Sequence, residues 1–559
     1  MTAAKADEWI PIRPGTDGAL ALGIAHVLMN EDLYDQRFVE AHTFGFEAFK
    51  GLILEEYPPE AVAKITGVSA KTIERLAREL AEGRPSLAIA DRGVGNYTNG
   101  LYSRWAVHCL NALLGSIDAP GGVLIPPEIP PGAWPPLKRD ALAKKGHRMP
   151  RIDGAGGPAS PLASSAIQAL PDAIQRKEPY EVEALLFYYA NPAFSDPRLM
   201  AALAQVPFIV SFSPFMDETT EWADLVLPDH TYLERWQDHI ALGTSYPLFG
   251  LSQPVVKPFY DTRHTGDVLL ALVGELGSPF QEAFPWPDFE TLLKEQVRGI
   301  FEARRGILAE ALDEPWYETF KRMGEWPTLE TFEAFWKLLR ERGGWWDPEY
   351  RFGQWERAFR TPSGRFEFFS QRLKAILEGL AKGEAARRGT RPANELERIL
   401  QRLGIQARGD RVYLPHYEEP RFVGEAGEFP LHLNLYRPMA LAGGPCAQQP
   451  FLQEIVGPHV HMKWDSWIEI NPHTAKALGV ADGDWVWVES PIGKLKVRAK
   501  LYPGAMPEVV NMPYRLGHTA FGRFARGKGV NPGRLTGREA DSLGGSPARF
   551  ATRVKVYKA

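Results

Sequence analysis

Several polar residues stand at turns where they could meet a ligand. The turn Gly15-Thr16-Asp17-Gly18 precedes the apolar run ALALGIAHVLMN, so Asp17 sits at the mouth of a predicted helix. Free N–H groups there favour an anion, and a carboxylate can accept paired hydrogen bonds from a guanine edge; a plain helix cap uses the same residue type. The loop RGVGNYTNG gathers Gly93, Gly95, Asn96, Asn99 and Gly100. Such a loop lets backbone approach a ligand, yet it matches neither the dinucleotide GxGxxG nor the phosphate-binding GxxxxGK[ST] pattern. Asn191 follows the predicted strand EALLFYYAN and Ser213 follows PFIVSFS. Both project at the carboxyl edge of a parallel sheet, where open α/β sheets bind nucleotides. Glu218, Thr219 and Asp224 lie on the adjoining turn, with chemistry suited either to ribose and phosphate or to capping.

Other chemistries find less support. Thirteen histidines include no HExxH, and His459 and His461 share a face only in an extended segment. No GxSxG elbow marks a nucleophilic serine. The two cysteines, Cys109 and Cys446, are too few for a four-cysteine iron–sulfur cluster or a disulfide scaffold. Cys109 lies in an apolar helical stretch and reads as a core residue, and Cys446 lies in the loop GGPCAQ.

These residues need a scaffold, and 559 residues at ~150 per domain suggest three or four compact units. Helix, strand, glycine loop and helix follow one another over 15–115: SAKTIERLAREL is capped by Ser69 and closed by Gly83, SLAIAD reads as a buried strand, and YSRWAVHCLNALLG as a helix. Residues 1–125 are assigned to an α/β cofactor-binding domain and the proline- and glycine-rich residues 126–165 to a surface segment. Residues 166–280 hold the clearest βαβ unit and form a nucleotide-binding domain. Residues 281–415 read as a mostly helical insertion. Residues 416–559 turn to strands (LHLNLYR, SWIEI, DWVWVES, KLKVRAKLY), with a short helix PHTAKALG capped by Asn471. The fold class expected is α/β: Rossmann-like parallel-sheet domains with a helical insertion, then a double-psi-like β-barrel domain. Lys and Arg number 64 against 69 Asp and Glu, a net charge of −5 that gives no electrostatic hold on nucleic acid. No apolar run reaches the ~18 residues of a membrane span. The N-terminus shows no twin-arginine or apolar signal core.

Taken in order, these segments resemble the molybdopterin oxidoreductases of the dimethyl sulfoxide reductase family, and within it thiosulfate, tetrathionate and polysulfide reductase catalytic subunits. The resemblance runs through IRPGTDGALALGIAHVL, DRGVGNYTNG with LNALLGSIDAPGG, YYANPAFSDP, SPFMDETTEWADLVLPDHTYLERWQD, LNLYRP, VNMPYRLGHTAFGR and GVNPGRL. It implies two molybdopterin guanine dinucleotides chelating one molybdenum or tungsten. Gly15, Thr16 and Asp17 match a motif that meets one guanosine, and Gly93 and Asn96 of the glycine loop are taken as further cofactor-binding residues. Asn191, Ser213, Thr219 and Asp238 match segments around the other nucleotide, although many relatives carry an acid where Ser213 stands. Arg437, His518 and Asn531 fall in the lid over the pterins, and Arg235 and His239 are candidates for a substrate funnel or, as the ordinary reading has it, for surface salt bridges.

The resemblance also places IRPGTDG some way into a relative, so the chain is expected to be the C-terminal portion of a catalytic subunit. The iron–sulfur domain and the metal-ligand segment would then come from elsewhere, leaving no iron–sulfur cluster in this chain. The implied partners are that missing N-terminal segment or separate chain, an iron–sulfur electron-transfer subunit and a membrane anchor, on the periplasmic side and in anaerobic respiration. The implied reaction is two-electron redox on an inorganic sulfur compound or similar oxyanion. The competing expectation is a non-catalytic molybdopterin-binding or assembly protein. An ordinary nicotinamide dehydrogenase is disfavoured by the lack of GxGxxG after a strand.

Overall fold

The computed structural model describes residues 5–559 except 133, 136–137, 242, 309–328, 442–445 and 456–461. His459 and His461 lie outside the described residues. The first domain is built around α1 (Asp17–Asn30), whose apolar residues are buried on nearly every side by α2 (Phe46–Glu56), α3 (Pro59–Thr66), α4 (Ala70–Glu82) and α5 (Gly100–Leu113). The Ser69 hydroxyl accepts the Thr72 N–H at 3.1 Å and starts α4 as its sequence requires. Leu22 sits at the centre of this core with no exposed surface. Leu22→Ala is expected to cost about 2–5 kcal/mol, read as a lower denaturant midpoint for this domain. A loss below about 1 kcal/mol would mean the site collapses freely.

The expected strand SLAIAD does not form. Residues 86–91 run extended without a ladder, and Leu87 and Ile89 are exposed. The Asn111 side chain takes both backbone groups of Ala88, accepting its N–H at 2.7 Å and donating to its carbonyl at 2.8 Å. Among the described residues no neighbouring strand is present to do this instead.

The second domain holds α6 (Leu170–Arg176), β1 (Ala184–Phe187), α7 (Leu199–Leu203), β2 (Phe208–Ser211) and β3 (Leu225–Val226). The three strands form an all-parallel sheet in the order β1-β2-β3, as a βαβ unit dictates. Beyond it come β4 (Gln237–Ile240), β5 (Leu248–Ser252), α8 (Thr265–Leu276) and α9 (Phe289–Glu302). Next are β6 (Ile307–Leu308), α10 (Phe332–Arg342) and β7 (Gly344–Trp346). The insertion reads as mostly helical, yet β6 and β7 within it join the β4–β5 hairpin in one sheet of order β4-β5-β7-β6. Trp345 explains the difference: it is buried, pairs with Phe249 across the sheet, and donates its indole N–H to the Arg305 carbonyl at 3.0 Å. The helices α11 (Gln371–Arg388) and α12 (Pro392–Leu403) pack back on Tyr102 of α5, so the insertion returns to the first domain.

The C-terminal strands are β8 (Leu431–Tyr436), β9 (Trp467–Ile470), β10 (Trp485–Glu489), β11 (Lys494–Leu501), β12 (Val509–Pro513) and β13 (Arg553–Lys558). They close a barrel in the order β8-β12-β9-β11-β10-β13. Pairs β8–β12 and β9–β11 are parallel, so the chain must cross over between them. The crossover from β9 carries α13 (Pro472–Ala477), where Asn471 accepts the His473 N–H at 2.9 Å.

Candidate functional site

Asp17 and its turn are held from three directions. Gly15 has φ +79, and a Cβ there would lie 2.8 Å from Pro420 and 3.2 Å from Tyr97, so only glycine fits. Asn99 donates to the Gly15 carbonyl at 3.0 Å and to the Glu418 carbonyl at 2.7 Å, tying the glycine loop and the segment before the barrel to this turn. Thr16 donates to the Arg13 carbonyl at 2.7 Å and shapes the turn; its side chain does not cap α1. Asp17 takes the first position of α1. Burial pushes its carboxyl above the usual range, with only its own backbone N–H opposing, and no side chain among the described residues donates to it. A partly desolvated carboxylate with so few donors gains from a ligand that supplies more. Asn99 Oδ1 is likewise buried without a partner.

The glycine loop contributes differently from expectation. Gly93 faces open space, whereas a Cβ at Gly95 would strike the Arg104 guanidinium. The Asn96 carbonyl accepts the Phe550 N–H at 3.1 Å, so this residue fastens the C-terminal domain through its backbone.

A second group forms where the barrel domain meets the carboxyl edge of β1 and β2. Glu218 is its hub: it accepts from Asn191 Nδ2 at 2.7 Å, from the Thr519 and Ala520 N–H groups at 2.8 and 3.2 Å, and pairs with His518 Nδ1 at 3.0 Å. Burial pushes the Glu218 carboxyl up, but hydrogen bonding and charge from His518, with Asn191, outweigh it and bring it down to about 2. Asn191 Oδ1 accepts the Thr219 hydroxyl at 2.9 Å, and His518 stacks on Phe194 with ring centroids 3.8 Å apart. Asn531 donates to the Phe194 carbonyl at 2.7 Å, and Ser213 donates to the Phe215 carbonyl at 2.9 Å. The structure therefore brings Asn191, Ser213, Thr219, His518 and Asn531 to one edge, where His518 and Asn531 clamp the barrel to the α/β domain and Asn191, Ser213 and Thr219 bond within the α/β domain. Asp238 stays apart, exposed on β4 opposite Leu251. Arg235 is engaged by Asp229 and Tyr188. His239 is exposed on β4.

Beside this clamp runs a groove lined by Gln168, Pro192, Arg198, Gly533, Glu539 and Arg549, open between the α/β and barrel domains. Gln168 Oε1 and Arg198 Nη1 are buried with no partner. Arg549 also belongs to a trio with Arg437 and Arg515, each guanidinium 5.4–5.8 Å from the Tyr514 ring. Arg437 donates to the Tyr514 hydroxyl. Burial, with Arg437 and Arg549 close by, lowers the pKa of Arg515. Its Nε has no acceptor, and its φ of +114 is strained for a residue with a Cβ. Three clustered cations repel one another until an anion arrives. Arg515→Met is accordingly expected to leave the free chain as stable or slightly more stable while weakening retention of a bound anion roughly tenfold. A thermal scan and a ligand-retention assay on the same variant read the two effects. A clear loss of stability with retention intact would assign Arg515 a packing role.

Sequence reasoning missed Arg515 and Arg549, and weighed Glu218 between ribose or phosphate binding and capping without foreseeing its pairing with His518. The only signal for the arginines was a basic residue beside an aromatic in PYR, and another in PARF. Cys109 is fully buried in the first core, which pushes its thiol pKa up; Cys446 packs half-buried against the cluster around Trp467. Among the described residues, no group of three or more His, Cys, Asp or Glu side chains is placed to hold a metal ion.

Comparison with known proteins accounts for this arrangement. Residues 1–275 match the molybdopterin oxidoreductase family, and residues 459–552 match the molydopterin dinucleotide binding domain. The arsenate respiratory reductase molybdopterin-containing subunit of Shewanella sp. (strain ANA-3) is 30% identical over 616 residues, covering 100% of this chain and 69% of the relative. The thiosulfate reductase molybdopterin-containing subunit of Salmonella typhimurium is 26% identical over 91% of this chain and 62% of the relative. The structure of acetylene hydratase from Pelobacter acetylenicus superposes on 100% of this chain and 72% of that one with a TM-score of 0.70 at 22% identity, a likeness of fold. The parallel sheets, the six-stranded barrel and these matches together make the chain a member of the molybdopterin oxidoreductase family, the family of the dimethyl sulfoxide reductases.

Proposed function

We propose that the chain holds two molybdopterin guanine dinucleotides and forms the larger part of a catalytic unit for two-electron redox on an inorganic oxyanion of the sulfur or arsenic type. The observation that carries this reading is the half-buried Asp17 carboxylate, which accepts from no side chain among the described residues, together with a separate groove on the barrel side lined in part by Arg198 and Arg549. A guanine edge offers donors to the Asp17 carboxylate, and a diphosphate offers negative charge to the clustered Arg437, Arg515 and Arg549. The residues present therefore fit the group. Asp17 would accept from one guanine edge, with Gly15 and Asn99 holding its turn. Gln168 and Arg198 would meet the second nucleotide, and Arg437, Arg515 and Arg549 would neutralise diphosphate charge. When bound, the cofactor supplies a metal that moves two electrons together with an oxygen or sulfur atom.

The chain's own residues bind and orient. The Glu218–His518 clamp keeps the barrel seated on the α/β edge, so the groove between them has a fixed width. The relatives support an oxyanion substrate by their names, arsenate and thiosulfate reductase subunits. An iron–sulfur electron-transfer subunit, a membrane anchor and a completing catalytic segment are the partners this reading implies. The test is to extract the native protein, identify the bound pterin nucleotide by mass, and assay arsenate and thiosulfate reduction with a viologen donor. Guanine dinucleotide pterin and turnover of one oxyanion are expected. Pterin without turnover of any oxyanion would favour a cofactor-carrying role, and no pterin at all would overturn the proposal.

A further inference from the structure

One face of the β1-β2-β3 sheet is largely bare, with Val210 at its centre buried between exposed neighbours. Leu185, Phe187 and Ile209 point to the side where α6 and α7 pack, joining Ile174, Leu199 and Leu203. On the other side Leu186, Phe208 and Leu225 are 56%, 44% and 41% exposed. They share that face because Leu186 pairs with Val210, which pairs with Leu225, and Phe208 lies two residues before Val210. All-parallel sheets carry helices on both faces, since neither face is suited to water.

The helix α8 repeats the pattern. It starts at the carboxyl end of this sheet, where the Thr265 N–H donates to Asp229 and the Asp229 N–H donates to the Phe212 carbonyl. Its Leu269, Leu272 and Leu276, spaced i, i+3 and i+7, form one stripe, and all three are exposed. Thr265 is its only buried residue. In the first domain, the extended segment 86–91 shows the same lack of cover at Ile89, which is 78% exposed. Exposed apolar surface of this kind marks an interface.

Building on the function proposed above, we infer that the bare face of β1-β2-β3 and the α8 stripe dock a polypeptide with βα elements, the counterpart of the length by which the relatives exceed this chain. The match takes in all of this chain but 69% and 70% of the two arsenate reductase relatives, so such polypeptide exists in them. Topology selects the occupant. A second copy would press one parallel sheet face against another, an arrangement that parallel sheets avoid because their crossovers place helices there. A polypeptide that lays helices over the face satisfies the rule.

The test places the photocrosslinking residue benzoylphenylalanine at Leu186 and, separately, at Leu272 in the protein as produced in its native cells. Crosslinked peptides are identified by mass spectrometry. Expected at both positions are peptides that align with the relatives' additional length, whether carried on the same polypeptide or on another. Crosslinks to a second copy of this chain, to lipid, or to nothing would overturn the inference. A companion variant, Leu186→Glu with Phe208→Glu, is expected to cut the crosslink from Leu272 roughly tenfold, because two like charges on one face would be buried unpaired. An unchanged yield in that variant would overturn the inclusion of the sheet face. Pterin content is measured on the same samples. Pterin without the crosslink defeats the docking surface alone, and the crosslink without pterin defeats the cofactor reading and leaves the surface standing.

Discussion

Asp17→Ala is expected to lower retention of the guanine dinucleotide by roughly 10- to 100-fold, the value of charge-assisted hydrogen bonds lost from a desolvated site. The folded chain half-buries this carboxylate and, among the described residues, gives it no donor beyond its own N–H. A guanine edge presents two neighbouring donors, and only an ionised carboxylate accepts both. Asp17→Asn keeps the shape and replaces one acceptor by a donor, so it is expected to lose nearly as much binding. The free chain should respond in the opposite sense. Since burial raises the Asp17 pKa, its charge destabilises the fold above that pKa and ceases to do so as pH falls through it. Asp17→Asn is therefore expected to be slightly more stable without cofactor and deficient with it, and dinucleotide retention by the unaltered chain should fall as the carboxyl protonates. Extracted guanine nucleotide per chain, measured beside thermal midpoints, checks both. Full nucleotide content in Asp17→Ala would remove this residue from the site.

Glu218→Ala is expected to cost about 3 kcal/mol and to loosen the barrel from the α/β edge. The substitution leaves His518, Asn191 and two backbone N–H groups buried without their common acceptor. Glu218→Gln should lose less, since its carbonyl oxygen still accepts while its amide meets the Asn191 amide as donor against donor. Because the native carboxyl is held at about 2, the clamp's contribution is complete above the ordinary glutamate value of 4.5 and is lost as pH falls from there toward 2. Hydrogen exchange at Thr519 and Ala520 should report this opening in the variant at neutral pH and in the native chain only in acid. Equal protection in Glu218→Ala and the native chain would show that Asn531 and the Phe194–His518 stack suffice to seat the barrel.

The elements that carry these sites were largely legible. Ser69 and Asn471 announce their helices because a cap depends on residues within one turn. Alternation in LHLNLYR and KLKVRAKL predicts strands with one buried face, and the barrel buries those faces. SLAIAD shows the limit. Its composition suits a strand, yet a strand also needs a partner, and Asn111 satisfies Ala88 in place of one. In the insertion, the helical periodicity was real, but Trp345 and Phe249 drew two short strands into a sheet that no local pattern announces.

By itself the sequence determined the order of α/β, insertion and barrel, and it placed Asp17 at the start of a buried helix, since periodicity, capping and turn chemistry act over a few neighbouring residues. Only the tertiary structure decided that Glu218 meets His518 across 300 positions, that Arg437, Arg515 and Arg549 crowd one tyrosine without a carboxylate among them, and that one sheet face stands uncovered. Those outcomes depend on which edges and faces the folded domains bring together, and the energy of such meetings is set by burial and charge at the contact.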